Sequence, residues 1–213
     1  MVKPQTPMII FIGPPHHGKT EARKIFSNLT GLRGASCSDA IYGIMAKHLD
    51  APEEELRAID KETFRPKLIE FGNFMCGDIG TLTLVDSRPE KEPLYYRTPS
   101  TLVRVLFLTG HRAIDGVRRR LELSEVRDRM LWLGIPTLVA WVERPGHPTV
   151  ADNTELTKED ANVIIMNSST VGALEQNIRA WVSALSSPAP EAAPEAAPEA
   201  AAQVALDTPP VTE

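Results

Sequence analysis

MIIFIGPPHHGKTEARKIF, residues Met8 to Phe26, is the stretch that decides how the rest of the chain is read. An apolar run ends at a glycine, two prolines and two histidines follow, and Gly-Lys-Thr then opens a helical pattern. Gly13 to Thr20 fits G-x-x-x-x-G-K-[ST], placed after a strand and before an amphipathic helix, where that pattern acts as a phosphate cradle. Gly13 and Gly18 can take the backbone angles that turn successive N–H groups inward, and the helix start near Lys19 adds partial positive charge. Lys19 would reach the β and γ phosphates of ATP and the Thr20 hydroxyl would ligate Mg2+. Pro14, Pro15, His16 and His17 fill the variable positions and shape the loop; no third ligand nearby makes the two histidines a metal site.

Outward from this unit, short β-branched segments alternate with helical periods. Expected strands are Met8–Ile12, Gly34–Cys37, Ala113–Val117, Thr137–Val142 and Val163–Met166, each read as buried on both faces. Apolar residues at helical spacing run through Ala22, Ile25, Phe26 and Leu29, through Leu123, Val126, Met130 and Leu133 up to Gly134, and from Val171 to Leu185. STLVRVLFLTG has strand propensity, but Thr98 with Pro99 looks like a cap and first turn and Gly110 like a stop, so a buried helix is expected. Strand and helix in alternation define a three-layer α/β fold, a parallel sheet of about five strands flanked by helices.

The chain has 213 residues, 42% hydrophobic and 24% charged, which suits one domain with a sizeable core. Its two cysteines, Cys37 and Cys76, have no CxxC spacing and read as small buried hydrophobes. The formal net charge of -5 is uneven: five of the 28 acidic residues and none of the 23 basic ones lie after Ser186. That segment, 187–213, repeats Pro-Glu-Ala-Ala without an aromatic residue, so residues 1–186 are expected to form the domain and 187–213 a disordered tail. The tail reads as a solvated linker, or as a docking peptide for a protein partner. The N-terminus has neither the length of a spanning helix nor a cleavage pattern, so no membrane association and a cytoplasmic location are expected.

A phosphate cradle alone does not choose among GTPases, motors and kinases. No N-K-x-D guanine signature follows a strand, which disfavours a guanine switch. RAIDGVRRRLEL places Asp115 and Arg118 at the C-terminal end of a strand, the edge where parallel-sheet proteins bind ligands. Asp115 is positioned to hold magnesium's hydration shell or orient the attacking oxygen, and Arg118 to clamp an acceptor phosphate with its planar fork. Arg119 and Arg120 read as a solvated helix start.

In GPPHHGKT, KETFRPKLIEFGN with its Arg-x-x-Leu-x-x-x-Gly spacing, IDGVRRRLEL, VAWVER and ANVIIMNSSTVGALEQNI, the chain resembles the bacteriophage deoxynucleoside monophosphate kinases of the P-loop nucleotide kinase superfamily. In order and spacing the resemblance covers roughly residues 8 to 185, and only the first motif is specific by itself. It implies transfer of the γ-phosphoryl of ATP to a deoxynucleoside 5'-monophosphate, in the host cytoplasm if the chain is phage-encoded, and it allows a homodimer. By the same likeness Arg65 would contact the acceptor, Asp115 and Arg118 would lie at its phosphate, Glu122 would support the site from the following helix, and Arg144 would enter a lid and approach the transferring phosphoryl. The lid candidate is RPGHPTVADNTELTKED, polar and proline-punctuated. Asn167, ending the last strand, suits either the adenine pocket or the cap of the last helix.

Two regions depart from that family's pattern. In GASCSDAIYGIMAKHL, Asp39 suits either an acceptor contact that takes a proton or a helix cap. LVDSRPEKEPLYYRTP has no clear counterpart; Tyr95 and Tyr96 with Arg97 would stack a base or pack the loop. The departures keep open a related phage activity, phosphorylation of a hydroxymethylated pyrimidine such as 5-hydroxymethyluracil in DNA, which wants a basic groove. A non-catalytic nucleotide-binding assembly module is disfavoured by Lys19 and Thr20 standing together with acceptor arginines.

Overall fold

The computed structural model describes residues 6–75, 99–148, 154–168 and 170–186; the expectations about Cys76, Tyr95, Tyr96, Arg97, Thr98 and the tail from 187 lie outside these. Chain order is β1 (Met8–Ile12), α1 (Lys19–Thr30), β2 (Gly34–Ser36), α2 (Cys37–Leu49), α3 (Glu53–Ala58), α4 (Lys61–Met75), α5 (Thr101–Leu108), β3 (Ala113–Asp115), α6 (Arg120–Trp132), β4 (Thr137–Glu143), a 3-10 turn (Lys158–Asp160), β5 (Val163–Met166) and α7 (Val171–Ser186). The five strands form one parallel sheet in the order β2-β3-β1-β4-β5, so the three-layer α/β fold is as expected. β1 lies at the centre, and all five of its residues are buried.

Alternation along β1 divides the core. Met8, Ile10 and Ile12 face the layer of α2, α4, α5 and α6, while Ile9 and Phe11 face α1 and α7. On the second side Trp181 of α7 closes over Phe11 and Phe26, with ring centroids 6.1 and 5.2 Å away. Each fully buried isoleucine here stabilises the fold by about 1.5–3 kcal/mol. Burial on both faces fails at the β5 edge: Ile165 is buried, but Ile164 and Met166 point to the other face and remain 49% and 40% exposed. Two strands are shorter than expected. β2 stops at Ser36 because that residue caps α2, and β3 stops at Asp115 because Gly116 turns left-handed at φ 92°. The ambiguous stretch is the buried helix α5, begun at Thr101 after Pro99; its cap is made by Glu125 of α6, whose carboxylate accepts the Ser100 N–H at 3.0 Å. Among the described residues, no helix is long and apolar enough to cross a membrane.

Candidate active site

The loop from Gly13 to Gly18 leaves the central strand at the C-terminal edge of the sheet and turns directly into α1. Three left-handed residues shape it: Gly13 at φ 139°, His16 at 62° and Gly18 at 94°. A Cβ on Gly13 would stand 2.4 Å from the Val142 carbonyl oxygen of β4, so only glycine fits there. Pro14 and Pro15 bring no N–H, so beyond Gly13 the loop's donors lie in its second half. The amides of His16, His17 and Gly18 take no hydrogen-bond partner among the described residues. Lys19 Nζ donates to the carbonyls of Gly13 at 2.7 Å and Pro14 at 2.6 Å, bending back across the loop. Thr20 is exposed in the first turn of α1. Open amides, a helix N-terminus and an ammonium group at one turn fit an anionic phosphate chain, and the exposed hydroxyl fits a hard cation bound with it.

The ends of β4 and β5 brace this loop. His17 is buried, and its Nδ1 accepts the Arg144 N–H at 3.0 Å. Asn167 Nδ2 donates to the His17 carbonyl at 3.0 Å, and its amide occupies the space a Cβ on Gly18 would need. Asn167 therefore does not cap α7; Thr170 does, its Oγ1 accepting the Ala173 N–H at 3.1 Å. Arg144, Pro145, Gly146, His147 and Ser168 line an open pocket of about 290 Å3 beside the loop.

Asp115 ends β3 in register with Phe11 of β1 and Ser36 of β2, and it is buried. Its Oδ2 accepts from Arg23 Nε of α1 at 3.0 Å, a buried ion pair the sequence did not announce. Arg23 stands inside an apolar helical stripe, where residue type alone gives no sign of a partner 92 positions away. Asp39 behaves as a cap: its Oδ2 accepts the Ser36 N–H at 2.8 Å and its Oδ1 the guanidinium of Arg57 at 3.2 Å. Both carboxylate oxygens are thus engaged by the protein.

The Asp115–Arg118 loop is held by α6. Glu122, at the third position of that helix, accepts the Arg118 N–H at 3.0 Å and also accepts the Arg119 N–H, so it holds the loop by its main chain. Its other oxygen, Oε1, is buried without a partner among the described residues. Burial raises its pKa to about 7, against the opposing pull of those two amides and the charges of Arg119 and Arg118. Arg119 is more than a solvated helix start, since it donates to Asn73 of α4 at 2.8 Å. Two turns earlier on α4, Arg65 lines an open hollow of about 470 Å3 with Pro66, Ile69, Glu70 and Asn73. Leu68 and Gly72 of the same motif turn inward, where a Cβ on Gly72 would come within 2.9 Å of Ile41.

Glu122 carries a pH prediction. Its folded pKa lies above its unfolded value of 4.5, so its contribution to stability is complete below about pH 4.5 and is lost as pH rises to about 7. The loss amounts to about 3 kcal/mol. Urea unfolding of wild type and Glu122→Gln across this range should show the wild type losing about that much relative to the variant; a constant difference would mean that the carboxyl is solvated.

Half of the expected lid is anchored. Leu156 is buried in the core, Glu155 N–H bonds the Arg118 carbonyl at 2.9 Å, and Arg127 donates to the Asp160 carbonyl at 2.7 Å. Lys158 also pairs with Glu143 at 2.6 Å.

No protein-family model and no curated protein matches the sequence. Among solved structures the chain is similar to an unliganded sugar kinase from Janibacter sp. HTCC2649, with a TM-score of 0.41 and 12% identity over 84% of this chain and 95% of that one. It is also similar to a protein from Chloroflexus aurantiacus provisionally assigned as a kinase, with a TM-score of 0.40 and 13% identity over 84% of this chain and 98% of the other. Likenesses of this degree carry no argument about activity.

Proposed function

We propose that the chain transfers the γ-phosphoryl group of ATP to a deoxynucleoside 5'-monophosphate, giving ADP and the deoxynucleoside diphosphate. The observation that carries this is the loop after the central strand, with amides at His16, His17 and Gly18 that have no partner among the described residues and with Lys19 folded over it. These groups would bind the phosphates, and Thr20 would hold Mg2+. Magnesium when bound neutralises charge on the phosphate oxygens. Asp115 ends the strand beside β1, and its negative charge is balanced by Arg23. Arg118 and Arg65 would meet the acceptor, Arg144 would approach from the end of β4, and the choice of a deoxynucleotide rests on the resemblance stated above. An acceptor phosphate oxygen bonds the γ phosphorus while the bond to the β–γ bridging oxygen breaks, so the protein supplies position and positive charge rather than covalent chemistry.

The test is a panel: full-length protein, γ-labelled ATP and Mg2+ with each deoxynucleoside monophosphate, and in parallel with DNA containing 5-hydroxymethyluracil. Label is expected in a diphosphate. Label only in the polymer would move the acceptor to DNA, and ATP binding without transfer to either would make the chain a binding module.

A further inference from the structure

His17 stands at a variable position of the phosphate-loop pattern, yet it makes more connections than a loop-shaping residue needs. The residue is 3% exposed. Nδ1 accepts the Arg144 N–H at 3.0 Å, the carbonyl accepts from Asn167 at 3.0 Å, and the ring meets that of His147 edge to face at 5.5 Å. One residue thus joins the loop to the exits of both β4 and β5.

A backbone N–H can only donate, so Nδ1 must be unprotonated and the neutral ring carries its proton on Nε2. That nitrogen is buried with no partner among the described residues, an arrangement that folding opposes. The surroundings keep the ring neutral: burial, His147, Lys19 and Arg144 all lower its pKa from 6.5, and Glu143, itself paired with Lys158, opposes them. We propose that His17 is a positioning residue whose Nδ1 fixes the phosphate loop to the main chain of Arg144, so that the loop amides and the Arg144 side chain address the same phosphates. This rests on the reading of the loop as a nucleotide site and adds to it the residue that sets the loop against the end of β4.

The test uses three variants of the full chain. His17→Asn puts an amide oxygen near the place of Nδ1, His17→Gln puts it nearer Nε2, and His17→Leu removes the acceptor. Hydrogen exchange at the Arg144 amide reads the bond without nucleotide: it should quicken at least tenfold in the Leu and Gln variants and return toward wild type in Asn. Imidazole 15N shifts of the wild type should show the Nε2–H form at pH 7. In turnover, His17→Leu should raise KM for ATP and lower kcat, together costing about ten- to a hundredfold in kcat/KM, with most of the loss restored by Asn. An Nδ1–H ring, or an Asn variant no better than Leu in both exchange and turnover, overturns the proposal. Protected exchange and the Nε2–H ring in a protein that binds no ATP would instead sink the nucleotide reading and leave the lock a purely structural brace.

Discussion

Replacing Lys19 with alanine should cut ATP turnover by at least about a hundredfold, the scale on which removal of a single preorganised charge-stabilising group is felt. The ammonium group sits on the carbonyls of Gly13 and Pro14, so it is already placed inside the turn before any phosphate arrives. With Pro14 and Pro15 lacking N–H groups, the first half of the loop offers one N–H, that of Gly13, against three carbonyl oxygens, and Lys19 offsets the repulsion those oxygens would give an anion. Lys19→Arg should not rescue, since a planar fork cannot replace a compact ammonium on two converging carbonyls. Two measurements separate chemistry from folding. A coupled assay of ADP release reports turnover, and thermal unfolding with and without ATP reports binding. A ligand at a hundred times its Kd stabilises a native state by about 2.7 kcal/mol, a shift that wild type should show and Lys19→Ala should lose. Full turnover in the variant would remove the loop from the active site.

The centre of the fold was legible because its physics is local. A strand buried on both faces must be apolar throughout, as Met8–Ile12 is, and the glycines that follow it announce a turn with little tolerance for side chains. Helix stripes at α1, α6 and α7 were equally plain in the spacing of Ala22, Leu123 and Leu174 with their partners, but their ends were not: Leu133 lies past the end of α6, and it, Val171 and Leu185 stay exposed. The parts that were not legible depend on pairings between distant residues. Asp39 and Asn167 each suited two roles in the sequence, and neither pairing that the structure gives them was visible there: Arg57 meets Asp39 from 18 positions away, and Asn167 braces the phosphate loop at His17 from 150 positions away. The anchoring of residues 154–160, the second part of the lid candidate, was hidden for the same reason: TELTKED is polar in composition, but Leu156 reaches the core and Arg127 grips the Asp160 carbonyl.

The buried pair of Arg23 and Asp115 leads to the second large effect. Its side chains are 9% and 3% exposed, so neither charge can recover its hydration when the other is removed. Arg23→Met leaves a carboxylate stranded between the central strands and α1, and should cost about 3–5 kcal/mol in urea unfolding. Adding Asp115→Asn in the same chain removes the stranded charge and should return much of that loss, because a neutral amide is cheaper to bury than an ion. The cycle also separates two uses of Asp115. If its carboxylate serves only to hold α1, the double variant, once stable enough to assay, keeps its turnover and its Mg2+ dependence. If it also supports the cation beside Thr20, turnover falls and more Mg2+ is required even where stability is regained. A cost below about 1 kcal/mol for Arg23→Met is what a solvent-exposed pair would give, and it would contradict the burial on which both uses depend.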